Sequence, residues 1–342
     1  MSQNISYCDS NFTNTGHGFT VASGFYIVLG VLGNVTAFVL LIKQSRYHNW
    51  KMFYRLVLLL VSVDLLGVVM FGSISVIENT ATKWLGGKGL CIAESIIIIF
   101  ISLTNLLIVT IISLERFLAL WHPYFYSTLK HHACIIFVPV VILCVAVVMA
   151  ILPAVSGDHF EKIYPCDFCF INIYGNNHSD YIYAFIYSIF GLLFLTLAIV
   201  LNILVIVALS RSSRGYSRQR QSLISINHDG KEYYFMLFQL LAVITELAVC
   251  WSPLLIKIIM TVTLNVEDYD EALLKKNYLF FRFAAWVLVL DPLIYVILRR
   301  EIIVNICLFC KRREHQHLTS SGDKVDRGSM HSNPNRASYG TI

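Results

Sequence analysis

Residues 92–114 read IAESIIIIFISLTNLLIVTIISL, twenty-three residues with one charge, Glu94. Apolar side chains fall on every side of a helix drawn through this stretch, so no face is left for water. Its length exceeds the ~20 residues a helix needs to cross a ~30 Å hydrocarbon core. Six further runs share this character: 21–42, 56–77, 133–155, 181–209, 233–264 and 277–298. Together the seven hold 173 residues, half the chain, yet only six of its 47 charges. In hydrocarbon only helices or closed barrels satisfy their backbone groups, and barrel strands would be about half as long and alternating. The reading is an all-α membrane protein: a seven-transmembrane helix bundle over 21–298 with an N-terminal tail 1–20. A short amphipathic membrane-surface helix, 299–310, and a polar, disordered tail, 311–342, follow. Of the 342 residues 57% are hydrophobic and 14% charged, with mean hydropathy +0.67. A soluble domain carries about 25% charged residues, so a soluble enzyme, a disordered chain and a coiled coil are excluded.

Charge sets the expected orientation. With the N-terminus extracellular, 19 Lys and Arg fall in inner segments and five in outer ones, while Lys257 and Arg282 lie within helices. That asymmetry is the positive-inside rule, and the net charge of +5 is a topology signal, not a nucleic-acid patch. Glycosylation patterns at Asn4, Asn11 and Asn177 all land outside. No basic segment precedes a short apolar core, so the first helix is expected to anchor the chain in the plasma membrane without a cleaved leader. Four cysteines lie in outer segments, Cys8, Cys91, Cys166 and Cys169; disulfides persist there, and four cysteines allow three pairings. Cys91 opens the third helix and Cys169 sits in the long outer loop 156–180, which favours Cys91–Cys169 and leaves Cys8–Cys166 to tie the tail over the mouth of the bundle. Cys134, Cys144 and Cys250 read as packing residues within helices. Cys307 and Cys310 end the amphipathic stretch and are candidate palmitoylation sites against the inner membrane surface. Thr319, Ser320, Ser329 and Ser338 are candidate phosphate acceptors in the tail.

Charge within hydrocarbon is costly and by default marks function. Asp64 and Asp291 lie near mid-helix, and Asn105 sits at comparable depth in the third run. Two carboxylates and an amide suit a hydrated Na⁺, or else a polar network that holds helices together. Arg282 stands five residues into the last run and nine before Asp291, about 13 Å at 1.5 Å per residue. That depth suits the floor of an outward-facing pocket, where a guanidinium pairs a carboxylate through two parallel hydrogen bonds. The alternatives for Arg282 are snorkelling to the interface or pairing with Glu94. Lys257, four residues past the break expected at Pro253, is a second candidate anchor. Glu246 reads as a polar contact in the inner half of the sixth helix, without a specific role. Ile98 occupies the position, seven residues after Cys91, where a cationic amine ligand would need a carboxylate, and residues 277–298 contain no Lys for a retinal Schiff base. Both absences favour an anionic or neutral ligand. No metal-binding His pair, nucleophile–base constellation or broken-helix repeat is evident, which argues against an enzyme, a metal centre or a transporter.

These motifs together resemble the rhodopsin-like (class A) G-protein-coupled receptors. The resemblance rests on Gly33-Asn34, Asp64, Cys91 with Cys169, Glu115-Arg116-Phe117, Cys250-Trp251-Ser252-Pro253 and Asp291-Pro292-Leu293-Ile294-Tyr295, spread over about 290 residues. It implies a ligand-gated switch coupled to a heterotrimeric G protein. Arg116 would be restrained by Glu115 at rest, helix six would swing about Trp251 and Pro253, and Tyr295 would repack inward. It also implies arrestin at a phosphorylated tail and Na⁺ as an allosteric ion, with no other cofactor. Phe117 stands where that family usually has Tyr.

A closer likeness is to the prostanoid receptors, those for prostaglandin E2 in particular. Glu115 through Ser127, reading ERFLALWHPYFYS, resembles their inner loop; Tyr164-Pro165 with Cys169-Phe170-Ile171, and Trp84-Leu85-Gly86-Gly87, resemble their outer segments. By this likeness Arg282 holds a lipid carboxylate with help from Ser75, and the acyl chains fill a pocket among helices one, two, three and seven. Asp167 and Phe168 of the lid and Trp286 stand near the ligand. The chain departs from the pattern at Cys166-Asp167-Phe168, where a Thr-Trp pair is usual, and at Ala285, Trp286 and Leu288 in the last helix. The expected function is a receptor for an acidic lipid such as prostaglandin E2. The alternatives are a rhodopsin-like receptor for a non-prostanoid ligand and, more remotely, a transporter.

Overall fold

A computed structural model describes residues 16–47, 52–81, 87–129, 132–157, 159–164, 168–174, 178–219, 238–264 and 271–297. All belong to the first of two units, Met1–Arg299 and Arg300–Ile342. Cys8, Cys166, Asp167, Asn4, Asn11, Asn177, Cys307, Cys310, the surface helix 299–310 and the side chain of Tyr295 lie outside the described residues.

The elements in chain order are α1 (Gly16–Tyr47), α2 (Met52–Ala81), α3 (Lys88–Trp121), the short α4 (Pro123–Leu129) and α5 (His132–Ser156). A hairpin follows, β1 (Phe160–Ile163) and β2 (Phe168–Ile171), then α6 (His178–Gln219), α7 (Phe238–Thr263) and α8 (Glu271–Ile297). Every helix except α4 is long and apolar enough to cross a bilayer, and these seven carry the seven runs read from the sequence. The protein is a multi-pass membrane protein. Helix α3, which carries the run 92–114, is its axis. Every residue from Ile101 to Thr110 is buried, and 72% of the apolar window of α3 is covered by protein, against 22% for α5. Both helices are apolar all round, but α3 is surrounded by other helices and α5 faces outward. Cys144, expected to pack within the bundle, is exposed on that outward side, whereas Cys250 is buried.

Within a bilayer there is little hydrophobic drive between helices, so association rests on close packing through small residues. Gly30 and Gly72 provide it between α1 and α2. A Cβ on Gly72 would lie 2.1 Å from Ile27 Cγ1, and one on Gly30 would lie 2.7 Å from Val68 Cγ1. Each helix therefore inserts a branched side chain into a notch in the other. Asn34 then donates from Nδ2 to the carbonyls of Gly30 and Leu288, both at 2.9 Å, and so ties α1 to α8.

In α7 a π-helical turn, Leu247–Trp251, precedes the α-helical stretch that starts at Ser252. The sequence predicted the break at Pro253, and the irregularity sits one turn earlier. Proline lacks an N–H and its ring clashes with the carbonyl four residues back, here Val249. The helix absorbs that clash by taking one extra residue into the turn.

The hairpin is antiparallel, with Lys162 opposite Cys169, and it is held on several sides. Cys169 is disulfide-bonded to Cys91 of α3, the pairing expected, and its N–H donates to Glu94 Oε2 at 2.9 Å. His159 and Asn172 both engage the carboxylate of Asp180 in the first turn of α6. Asn277 of α8 donates to Tyr174 Oη at 2.6 Å; burial pushes the Tyr174 phenol above its ordinary value, so this bond joins uncharged groups. The described residues 159–164 and 168–174 thus join α3, α6 and α8 as a braced cover. Replacing Gly72 by Ile should lower the melting temperature of the detergent-solubilised protein, since overpacking a tight contact costs about 1–3 kcal/mol. Gly24→Ala, where nothing lies within 4 Å of the new Cβ, should leave it unchanged.

Candidate ligand cavity and switch region

Below the hairpin lies a cavity of about 320 Å³, within the size range of small-molecule sites. Phe168 and Phe170 of β2 form its cover, Ile98, Ile101, Leu254 and Leu288 its apolar walls, and Trp251 reaches it from the π-helical turn. The sequence reading confined the pocket to helices one, two, three and seven. The structure extends it across to Tyr187 on α6 and to Trp251 and Leu254 on α7. Phe170 carries it there, with its ring edge-on to Tyr187 at 5.4 Å and to Phe281 at 5.2 Å.

Arg282 lines this cavity. Its Nε donates to Tyr278 Oη at 2.7 Å, one turn back on α8, and its guanidinium carbon lies 5.1 Å from the centre of the Tyr278 ring. Glu94 lines the same cavity but spends Oε2 on the Cys169 N–H, and among the described residues no carboxylate is within ion-pair distance of Arg282. Neither alternative weighed for Arg282, snorkelling to the interface or pairing with Glu94, describes this geometry. The guanidinium is not the floor, however: the cavity continues past it to Trp251 and Leu288. Ser75 lines the cavity and its Oγ is 3.0 Å from Ser23 Oγ of α1. Trp286 also lines it, edge-on to Tyr26 at 5.9 Å, and Tyr26 Oη donates to the Ala285 carbonyl at 3.1 Å. Lys257 is not among the lining residues. On α7 Leu254, Leu255 and Ile258 turn inward, and Lys257 lies half-buried beside exposed Ile256.

At mid-depth Asn105 donates to Asp64 Oδ1 at 2.8 Å and to Asp291 Oδ2 at 3.0 Å, bridging α2 and α8 through α3. Glu246, the last residue before the π-helical turn, is buried and electrostatically coupled to Asp291. The cluster therefore contains a third carboxyl group, from α7, that the sequence reading left without a role. At the far end of α3, Arg116 lies 3.4 Å from Glu115 Oε2, with its guanidinium 3.8 Å over the Phe53 ring. Tyr126 of α4 donates its hydroxyl to Glu115 Oε1; burial, then the bond to that carboxylate, hold the Tyr126 phenol above its ordinary value. Phe117 packs its ring on Trp121 at 5.9 Å.

The family described as 7 transmembrane receptor (rhodopsin family) matches residues 33–295. The chain is a rhodopsin-family receptor. It is 26% identical over 350 residues to the human prostaglandin E2 receptor EP4 subtype, covering 89% of this chain and 72% of that one. It is 25% identical over 290 residues to the human thromboxane A2 receptor, covering 81% and 82% respectively. The relatives are receptors, not enzymes.

In this receptor the residues singled out from the sequence fall into three groups. Arg282, Ser75, Phe168 and Trp286 meet at the cavity; Asp64, Asn105 and Asp291 meet at mid-depth; Glu115 and Arg116 meet at the end of α3. Trp251 joins the first group to α7, and Pro253 follows it. Sequence reasoning missed Tyr278, Phe281, Tyr187 and Ser102. Tyr278 had a usable signal, since a residue four before Arg282 stacks on it along a helix. The others become visible only once the partner helix is known.

Proposed function

We propose that the receptor binds a lipid acid of the prostanoid class, prostaglandin E2 first among them, in the cavity under the hairpin, and signals through a heterotrimeric G protein. One observation carries this reading: a guanidinium without an acidic partner among the described residues, set in a cavity of mostly apolar walls. A charge in such surroundings is costly until a counter-charge arrives. A carboxylate offers two parallel bonds to the terminal nitrogens, which the Tyr278 bond to Nε leaves available. Apolar chains would fill the space between Phe168, Trp286 and Trp251, with Ser75 as a second contact to the acid. The hairpin end would face the outside of the plasma membrane, and the Arg116 end the G protein. Release of Arg116 from Glu115 and Phe53 would accompany movement of α7, with Tyr295 repacking. The likeness to two receptors named for prostanoids supports the ligand class.

A second reading keeps the receptor and changes the ligand to another lipid acid. Ala285 and Trp286 favour it, because they differ from the residues usual in prostanoid receptors and Trp286 narrows the cavity beside Tyr26. We also propose that Asp64, Asn105 and Asp291 take Na⁺ in the resting state. The set includes buried oxygens without a hydrogen-bond partner, Asp64 Oδ2 and Asn105 Oδ1, with Glu246 Oε1 alongside.

Against a prostanoid panel read by cyclic AMP and calcium, Arg282→Ala should weaken the response about 100-fold or abolish it at normal surface expression, the scale of a lost charged hydrogen-bond pair. Unchanged potency would remove the anchor. Replacing Na⁺ by choline should raise agonist affinity several-fold in the wild type and not in Asp64→Asn; equal affinity in both media for both proteins would contradict the ion site.

A further inference from the structure

We infer that His159 and Asp180 form a proton-operated brace, which fastens the hairpin cover to α6 more tightly in acid than in alkaline solution. The inference rests on the cover alone and is independent of the ligand class proposed above. His159 stands one residue before β1, and Asp180 lies in the first turn of α6. His159 Nδ1 is 2.5 Å from Asp180 Oδ1, and Asn172 Nδ2 donates to Oδ2 of the same carboxylate at 3.3 Å. The Asp180 side chain is 1% exposed and that of His159 10%. Asn172 is itself fixed: its N–H donates to the His159 carbonyl at 2.8 Å, and its Oδ1 accepts from the Tyr174 N–H at 3.0 Å.

Charge decides the sense of the switch. The first turn of a helix favours an ionised carboxylate, and a carboxylate only accepts. Nδ1 therefore carries a hydrogen, and in the neutral ring the lone pair sits on Nε2. That nitrogen is buried and has no hydrogen-bond partner. A proton added there leaves Nδ1–H in place and turns a hydrogen bond from a neutral donor into an ion pair, the stronger contact. A buried carboxylate without a counter-charge is far costlier than a buried N–H without an acceptor, so the charged ring suits the site better. The surroundings leave room for it. A Cβ on Gly157 would lie 3.2 Å from Nε2, and the φ of +154° at that residue is one that glycine tolerates. The Tyr183 ring centre is 4.9 Å from the imidazole, and aromatic rings attract cations.

Asp180 and Tyr183, both on α6, are the titratable groups that meet the imidazole among the described residues. Glu161 and Lys162 of β1 have other partners, Glu94 of α3 is held at the Cys169 N–H, and His178 is exposed at the start of α6. Asp158, the preceding residue, lies outside the described residues. The other ties of the cover are a disulfide to α3 and a bond between uncharged groups to α8. Imidazole is the side chain whose charge ordinarily changes between about pH 5 and 8. Acidity thus acts on the α6 edge of the cover, where Phe170 meets Tyr187 at the cavity. The brace is complete in acid and weakens as the pH rises through the imidazole range.

The test measures hydrogen exchange at the amides of residues 168–172 in the purified full-length receptor, at about pH 6 and about pH 8, corrected for the intrinsic exchange rate. Protection in the wild type should be about tenfold greater in acid, the scale by which a charged hydrogen bond exceeds a neutral one. His159→Asn keeps an N–H near the position of Nδ1 and takes up no proton in this range. Its protection should be the same in both media and close to the wild-type level in alkali. Asp180→Asn should flatten the response in the same way, whereas His178→Gln and Asp158→Asn should retain it. Equal wild-type protection in the two media, greater protection in alkali, or a response that survives His159→Asn or vanishes in His178→Gln or Asp158→Asn would overturn the brace. If His159→Asn fails to reach the membrane, Asp180→Asn answers the same question, and the wild-type comparison stands without either variant.

Discussion

The ligand chemistry proposed for the receptor depends on where one guanidinium is held. Arg282 is long enough to reach the membrane interface, and an isolated arginine on a lipid-facing helix would do so. It stays at the cavity, where Tyr278, one turn away, accepts a hydrogen bond from Nε–H and offers its ring face. Tyr278 is itself packed with Tyr164 of the hairpin loop and Leu274. The hairpin in turn is secured to α3 by the Cys91–Cys169 disulfide and the Glu94 carboxylate. The same carboxylate that was a rival partner for Arg282 is thus engaged with the cover, and no carboxylate among the described residues lies at ion-pair distance from the cation.

The cavity and the switch are connected through α7. Trp251 touches the cavity and ends the π-helical turn; Glu246 precedes that turn and is electrostatically coupled to Asp291; Asn105 links Asp291 to Asp64. Under the proposed function, a ligand that displaces Trp251 would act on a helix whose regular hydrogen bonding is already interrupted, within five residues of the mid-depth cluster. Irregular turns of this kind commonly mark functional positions. The second arrangement of α7 that a two-state switch requires would also move Glu246 relative to Asp291. At the α3 end Arg116 is held by Glu115 and Phe53, while Tyr126 occupies the other Glu115 oxygen.

Much of this was legible from the chain alone. Span number follows from run length, because each apolar run exceeds what a bilayer crossing needs, and Arg282 stood out because charge in hydrocarbon is rare. The same rule singled out Lys257, which does not line the cavity, since it identifies depth but not the side of the helix a residue faces. Glu246 was visible as a charge, but its coupling to Asp291 requires knowing which helix faces it. Ser102, Tyr187 and Phe281 carried no signal of their own. The chain contains 18 Tyr and 22 Phe, so an individual aromatic becomes meaningful only when a neighbouring helix supplies its contact.

The most direct test compares equilibrium binding of a prostanoid acid and its methyl ester to the purified receptor. The ester keeps the shape and the chains and removes only the negative charge. The account predicts that the ester binds at least about 100-fold more weakly in the wild type, and that acid and ester bind alike in Arg282→Ala. Equal affinity of acid and ester for the wild type would contradict it.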